Sequence, residues 1–356
     1  MKHLGENYET LAKLMNLLAV VLTVISCALI IIGACSEVFY TSEFNSGETY
    51  AEEGFYDYVD IVKSTDFTSL SSVNLFGYIM LVSAVVILLL IMACSVLNAV
   101  SCIVAAVKNR NAADMGLKLA TVSLILIYVL KLIVTLSVHD RFLTDTNGFY
   151  IMFCAAIGLF ISLLVIKVVM TLLLGSVEYR KKYIISYISN TLTVIFSVIM
   201  LGAINMGMYY TKIDGTLYEY GINHRVYMLF YKSEISSEYY LYNTLITVAA
   251  LLIFILAVIN LIISYNALKK IRFNMTPVYV LSGIIAAILI AVITTYTCMD
   301  LKYNSSVGYV NGSVSNMLIV QMAATSIFVL AQIALLVWNF HNNKMIKNLK
   351  TDNKNF

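Results

Sequence analysis

Lys131 and Lys167 each lie inside a long apolar run. A charge in hydrocarbon costs at least about 2.5–3.5 kcal/mol unless it is paired, hydrated or able to reach the interface. Lys131 is roughly eight residues, about 12 Å, from one end of its run, and Lys167 is about as far from the opposite end of the next. One expectation is that the two side chains snorkel in opposite directions. The other is that both face a bundle interior and line a path that attracts anions. No Asp or Glu falls inside any apolar run, so carbonyl, Ser and Thr groups are their expected partners. A later run places Ser186, Ser189, Asn190, Thr193 and Ser197 on one helical face, with Asn205 further along, and Asn98, Ser101 and Cys102 cluster in an earlier one. Such residues must face protein or water, as interhelical hydrogen bonds or as a pore lining. The candidate intramembrane polar site is therefore Lys131, Lys167, Ser189, Asn190, Thr193 and Ser197.

Other chemistry finds no footing, and no enzyme is expected. His3, His139, His224 and His341 are scattered outside the runs, and there is no HExxH, GxSxG, Walker loop or dinucleotide fingerprint. Neither a cofactor nor a metal is implied: Glu52-Glu53 and Asp57-x2-Asp60 lack the calcium-loop pattern and its glycine. All six cysteines lie in the runs or at their ends, so no loop holds a pair to close a disulfide. Cys35 follows Ile32-Gly33-Ala34 and resembles a bacterial lipidation box. Its use would remove the first run, but Glu6 and Glu9 do not suit a positive leader.

The elements that carry these residues follow from composition. With 60% hydrophobic and 12% charged residues over 356 positions, the chain is far from soluble usage. Lipid admits only helices or closed barrels, and continuous rather than alternating apolar stretches select helices. Runs of about 20 residues or more free of Asp and Glu number eight: Leu14–Ala34, Leu75–Val107, Leu117–Val138, Phe149–Leu174, Ile184–Tyr209, Tyr240–Leu268, Val278–Cys298 and Met317–Phe340. The expected fold is an all-α polytopic bundle of eight transmembrane helices with small, partly β outer loops.

Charge sets the expected orientation. With the N-terminus cytoplasmic, inner segments hold 15 of 23 basic residues, counting Lys118 at the edge of its run, whereas outer loops hold 15 of 20 acidic ones. Both termini are then cytoplasmic in a multi-pass plasma-membrane protein. The basic excess meets anionic lipid, and no nucleic acid is implied. In the tail 341–356, Met345, Ile346 and Leu349 alternate with lysines, a pattern for a short amphipathic turn on the inner leaflet or a disordered basic end.

The outer loops alternate in length, long (36–72), short, long (210–238), shorter, which suggests two tandem four-helix units, 1–176 and 177–340. Two details recur at matching places and point to an internal duplication. The second helix of each half ends in a basic cluster (Lys108 and Arg110; Lys269, Lys270 and Arg272), and Thr135-x4-Asp140 is matched by Thr295-x4-Asp300. Cys154, Gly158 and Ser162, and Gly283, Ala287 and Ala291, read as close-packing seams. The first long loop is acidic and rich in Tyr and Phe, enough to fold. The second reads as a strand from Leu217 to Tyr220, a turn at 221–224 and a strand from Arg225 to Tyr231. Sequons stand at Asn304 and Asn311.

In layout alone, a four-helix unit with a long first outer loop is similar to claudins and tetraspanins. The Trp-then-two-Cys pattern of the former and the Cys-Cys-Gly of the latter are absent, and no family is assigned. The expected function is that of a non-enzymatic interaction or assembly protein whose acidic aromatic outer loops bind a protein partner. The alternative is a channel or carrier for a small solute, an anion being the class that the lysines would attract.

Overall fold

The computed structural model describes residues 2–43, 49–65, 71–108, 110–137, 141–174, 177–204, 206, 209–213, 216–220, 222–231, 237–270, 274–305 and 316–352. Eight of its helices are long and apolar enough to cross a membrane, as the sequence predicts: α1 (Lys2–Cys35), α3 (Ser72–Val107), α4 (Ala112–Ser137), α5 (Asn147–Leu174), α6 (Val177–Ala203), α8 (Ser237–Lys270), α9 (Thr276–Ser305) and α10 (Asn316–Asp352). The shorter α2 (Phe55–Ser64) and α7 (Ile222–Tyr227) lie in the connections. The chain is an integral membrane protein of the multi-pass α-helical class.

The chain divides into two compact units, Met1–Gly175 with Val226–Tyr231, and Ser176–Arg225 with Lys232–Phe356. In the first, α1, α3, α4 and α5 pack as a closed ring in which each helix touches the next and α5 returns to α1. In the second, α6, α8, α9 and α10 do the same. The first span packs into this ring: Ala19, Thr23, Cys27, Ile30 and Ala34 recur at helical spacing on one buried face of α1.

Caps place the helix starts. The Ser71 hydroxyl accepts the Asn74 amide at 3.3 Å ahead of α3. At the start of α4, Asn111 Oδ1 accepts the Asp114 amide (3.2 Å) and Asn16 Oδ1 on α1 accepts the Ala112 amide (3.1 Å). Those two bonds begin the helix at Ala112, five residues before the run that hydrophobicity marks out. Between α8 and α9 the chain passes through Asn274 at φ 63°, a left-handed conformation that asparagine tolerates, and Pro277 sits harmlessly in the first turn of α9.

Two small sheets occupy the connections. In the first unit β1 (Glu37–Glu43), β2 (Thr49–Gly54) and β3 (Arg141–Asp145) form an antiparallel sheet in the order β2-β1-β3, so strands from two separate loops share it. Phe39 to Glu43 pair in unbroken register with Asp145 to Arg141. In the second unit β4 (Tyr209–Ile213) pairs with β5 (Thr216–Tyr220). The predicted hairpin is thus displaced. Leu217 to Tyr220 is a strand, but its mate is β4, which precedes it in the chain, and the segment from Arg225 is helical in α7 and a following 3₁₀ turn (Met228–Tyr231). The run that ended at Tyr209 stops as helix at Ala203, because Tyr209 belongs to β4.

Two further expectations change. The basic tail is neither a separate amphipathic turn nor irregular up to Asp352: α10 continues through it as one helix of 37 residues, about 55 Å against a hydrocarbon core of about 30 Å. Nor is Cys154, Gly158 and Ser162 a packing seam within the chain. Cys154 and Gly158 are exposed, and a methyl group added at Gly158 would meet nothing within 4 Å. The close-packing glycines are instead Gly33, Gly116, Gly148 and Gly283.

Candidate functional site

The two lysines are separated and each has a partner. Lys167 on α5 is buried and its ammonium binds the carboxylate of Asp114 in the first turn of α4. The expectation that no carboxylate could serve it fails because capping extends α4 back past Leu117 and brings Asp114 onto the helix. Lys131 lies at the other end of α4, with its Nζ 5.0 Å from the centre of the Phe149 ring, a cation–π distance. Phe149 stacks on Phe153 (5.6 Å), and Tyr128 meets Phe153 edge-on (5.5 Å), so the ammonium caps an aromatic ladder between α4 and α5. Asp114 and Lys131 are 17 positions apart on one helix, about 25 Å along its axis. The lysines therefore mark opposite ends of one helix pair and line no common path.

Around the Lys167 end, Gly116 lets α3 approach closely, since a methyl group there would lie 2.6 Å from Cys102 Sγ. The Cys102 thiol reaches Asn98 Oδ1 (3.7 Å) and the Ala112 carbonyl (3.5 Å). Asn98 is buried, and its Nδ2 has no hydrogen-bond partner among the described residues.

The remaining candidates, Ser189, Asn190, Thr193 and Ser197, are buried in the second unit. Near the end where α8 turns into α9, Ser189 and Asn190 join a network that ties four helices. Ser189 Oγ donates to Gln332 Oε1 on α10 (2.8 Å) and lies 3.3 Å from Thr276 Oγ1 on α9, while Gln332 Nε2 donates back to the Ser189 carbonyl (3.3 Å). Asn190 Oδ1 accepts the Tyr279 hydroxyl of α9 at 2.6 Å. Asn260 of α8 donates to Ser282 of α9, and Ser264 donates to the Asn260 carbonyl (2.7 Å). Thr193 and Ser197 return their hydroxyls to carbonyls one turn back on their own helix.

Replacing Tyr279 by Phe leaves Asn190 Oδ1 without its donor and is expected to cost about 0.6–1.7 kcal/mol of unfolding free energy in a bilayer. Ser197→Ala, which removes only a local bond, should stay within about 0.5 kcal/mol of wild type. Equal losses for the two variants in bilayer unfolding would remove the distinction between interhelical and local bonds.

Sequence reasoning passed over the partners of this network. On α10, Gln321, Thr325, Gln332 and Asn339 recur at spacings of four, seven and seven, and all are buried with Phe328 on one face. That periodicity was the available signal. Toward the other end of the second unit the network is open: both amide atoms of Gln321, Thr325 Oγ1 and Thr297 Oγ1 are buried with no hydrogen-bond partner among the described residues. There too, Arg225 of α7 is buried beside Asn243, whose Nδ2 donates to the Arg225 carbonyl at 2.7 Å.

The last candidate, Cys35, ends α1, exposed, with its thiol 3.7 Å from Met92 Sδ. Cleavage before it would strip the first unit of a packed helix. Asn304 is in the last turn of α9, and Asn311 lies outside the described residues. Among the described residues no cluster of three His, Cys, Asp or Glu could hold a metal. No family model matches the chain, and no curated protein or solved structure shows significant similarity to it.

Proposed function

We propose that the protein is a non-enzymatic interaction or assembly protein of the plasma membrane, with cytoplasmic termini and an outer layer of loops that takes a protein partner. The observation that supports this most is the three-stranded sheet, because it joins strands from two loops into one element and ties that element to the helices. The Thr146 amide donates to the Val38 carbonyl (3.2 Å), and the Thr146 hydroxyl donates to the Glu37 carbonyl at the start of β1. On the other side of the hairpin, α2 packs on α3, with Tyr58 buried and the Tyr78 hydroxyl donating to the Val62 carbonyl (3.2 Å). A layer held at both ends presents its surface with little ordering cost on binding. Its strands and helix carry Glu37, Glu43, Glu52, Glu53, Asp57, Asp60 and Asp145, which suits a basic partner surface. β2 and β3 are the sheet's outer strands.

The twofold use of one helix order supports a duplication as the origin of the two units. So does a pair of buried asparagines on the second helix of each unit, Asn98 and Asn260, each ten positions before the lysine of a Lys-x-Arg sequence. The alternative of a channel or carrier draws support from the buried polar face of α10, and none from the paired lysines.

The test is photocrosslinking in intact membranes. A photoreactive residue at Tyr50 in β2 or Leu143 in β3 should yield discrete protein adducts, whereas one at the exposed apolar Leu89 of α3 should yield lipid adducts only. Membrane-impermeant reagent added outside should reach the first two positions. Equal adduct patterns from all three positions would sink the reading.

A further inference from the structure

Gln321 and Thr325 stand one turn apart on the buried face of α10, respectively 0% and 3% exposed, and neither side chain has a hydrogen-bond partner among the described residues. An amide enclosed in this way loses its water and gains nothing in return, which low dielectric makes costly. The contrast with Gln332, eleven residues further along the same face, is direct: that amide is matched at both ends by Ser189. Helix levels show what surrounds the open pair. A methyl group on Gly283 of α9 would lie 2.6 Å from Val329 Cγ2, so these two positions are level on antiparallel helices. Counting up from there puts Gln321 at the level of Ala291 and Thr325 at that of Ala287, so the adjoining residues on the buried face of α9 are Ile290 and Ala286. Both neighbours are buried and neither carries a polar side-chain atom. On α6, Phe196 stacks on Phe328 at 4.0 Å, which places Ser197 at about the level of Thr325, but the Ser197 hydroxyl is already given to Thr193. Among the described residues no group completes the amide.

We propose that Gln321 and Thr325 form a binding site inside the second unit for a small uncharged ligand that both donates and accepts hydrogen bonds, a class that runs from water to short amides and polyols. The site needs both capacities because a glutamine amide offers a carbonyl and an NH₂ side by side, and a threonine hydroxyl can serve as either. A charged ligand is disfavoured, since neither residue carries a countercharge. The assignment rests on the core of the second unit and does not depend on the loop layer.

Isosteric apolar replacement in the full chain, reconstituted in nanodiscs, tests it. Met and Val reproduce the shapes of Gln and Thr without their polar atoms, so Q321M and T325V report whether those atoms are satisfied. With a ligand in place, both variants unfold at lower temperature than wild type, in the same direction as the control Q332M, whose amide is satisfied by the protein. A rise in unfolding temperature for Q321M, opposite to Q332M, means the amide was a dry penalty and overturns the proposal. Titration with acetamide and with glycerol then identifies the source. Saturable stabilisation of wild type that Q321M abolishes assigns an organic solute, and its absence, with Q321M still destabilised, assigns water.

Discussion

Asp114→Asn is expected to destabilise the first unit by about 3 kcal/mol, because it leaves the Lys167 ammonium buried without its counter-ion. The Lys167 side chain is 5% exposed and that of Asp114 is 39% exposed, so the two ends of the pair are not equivalent. Desolvation falls on the lysine, while the carboxylate keeps part of its own solvation and supplies the compensation. Loss of the lysine is therefore milder: Lys167→Met removes the buried charge together with its cost and leaves Asp114 at a helix N-terminus, where a negative charge is favourable. The double variant D114N/K167M should recover most of what D114N loses. The measurement is equilibrium unfolding of the four forms in one bilayer system, read as a double-mutant cycle. A D114N variant within about 0.5 kcal/mol of wild type, or a double variant no better than D114N, would mean that Lys167 finds adequate solvation without Asp114.

The same pair shows where sequence reading reaches its limit in this chain. Eight helices are legible because each backbone group in lipid must be satisfied within its own segment, which forces long uninterrupted apolar runs. Where a helix begins is decided by caps instead. The start of α4 depends on Asn111 and on Asn16, the latter 96 positions away, so an apolar window opens too late and hides Asp114. The polar face of α6 was legible as a period, but its partners Gln332, Thr276 and Tyr279 lie 87 to 143 positions along the chain. Spacing of small residues misled on α5 for a related reason. Periodicity says which residues share a face and nothing about what lies opposite, and at Gly158 nothing does. In the second long loop the sequence marks the strand from Leu217 to Tyr220 and suggests a mate after it, from Arg225, whereas its partner in the fold is the preceding β4. A strand's sequence alone does not choose its neighbour.

Gly148→Ala is the second large expected effect, and it reaches from the helices into the loop layer. A methyl group at Gly148 would run into the Glu37 carbonyl and lie 3.0 Å from the Gly33 carbonyl, while one at Gly33 would lie 2.6 Å from the Gly148 carbonyl and 2.8 Å from the Met152 amide. These obstacles are mainly backbone, which cannot rotate aside, so α1 and α5 must separate or the entry to β1 must move. Overpacking of this kind costs about 1–3 kcal/mol, and each of G148A and G33A should fall in the upper part of that range. Gly158→Ala on the same α5 is the control: it adds a methyl group in open space and gains helix propensity of up to about 1 kcal/mol. Unfolding measurements should therefore move in opposite directions for two glycine-to-alanine changes ten residues apart. Because Glu37 opens β1 and Thr146 binds its carbonyl just ahead of α5, the damage from G148A should also appear as weaker crosslinking from Leu143, while K167M, at the far end of α5, should leave that crosslinking intact. If G148A lowers stability yet leaves the Leu143 adducts unchanged, the sheet holds its shape independently of the helix crossing beneath it, and the tie through Thr146 is dispensable. Loss of both together would make the α1–α5 crossing and the sheet one cooperative element, as backbone contact between them requires.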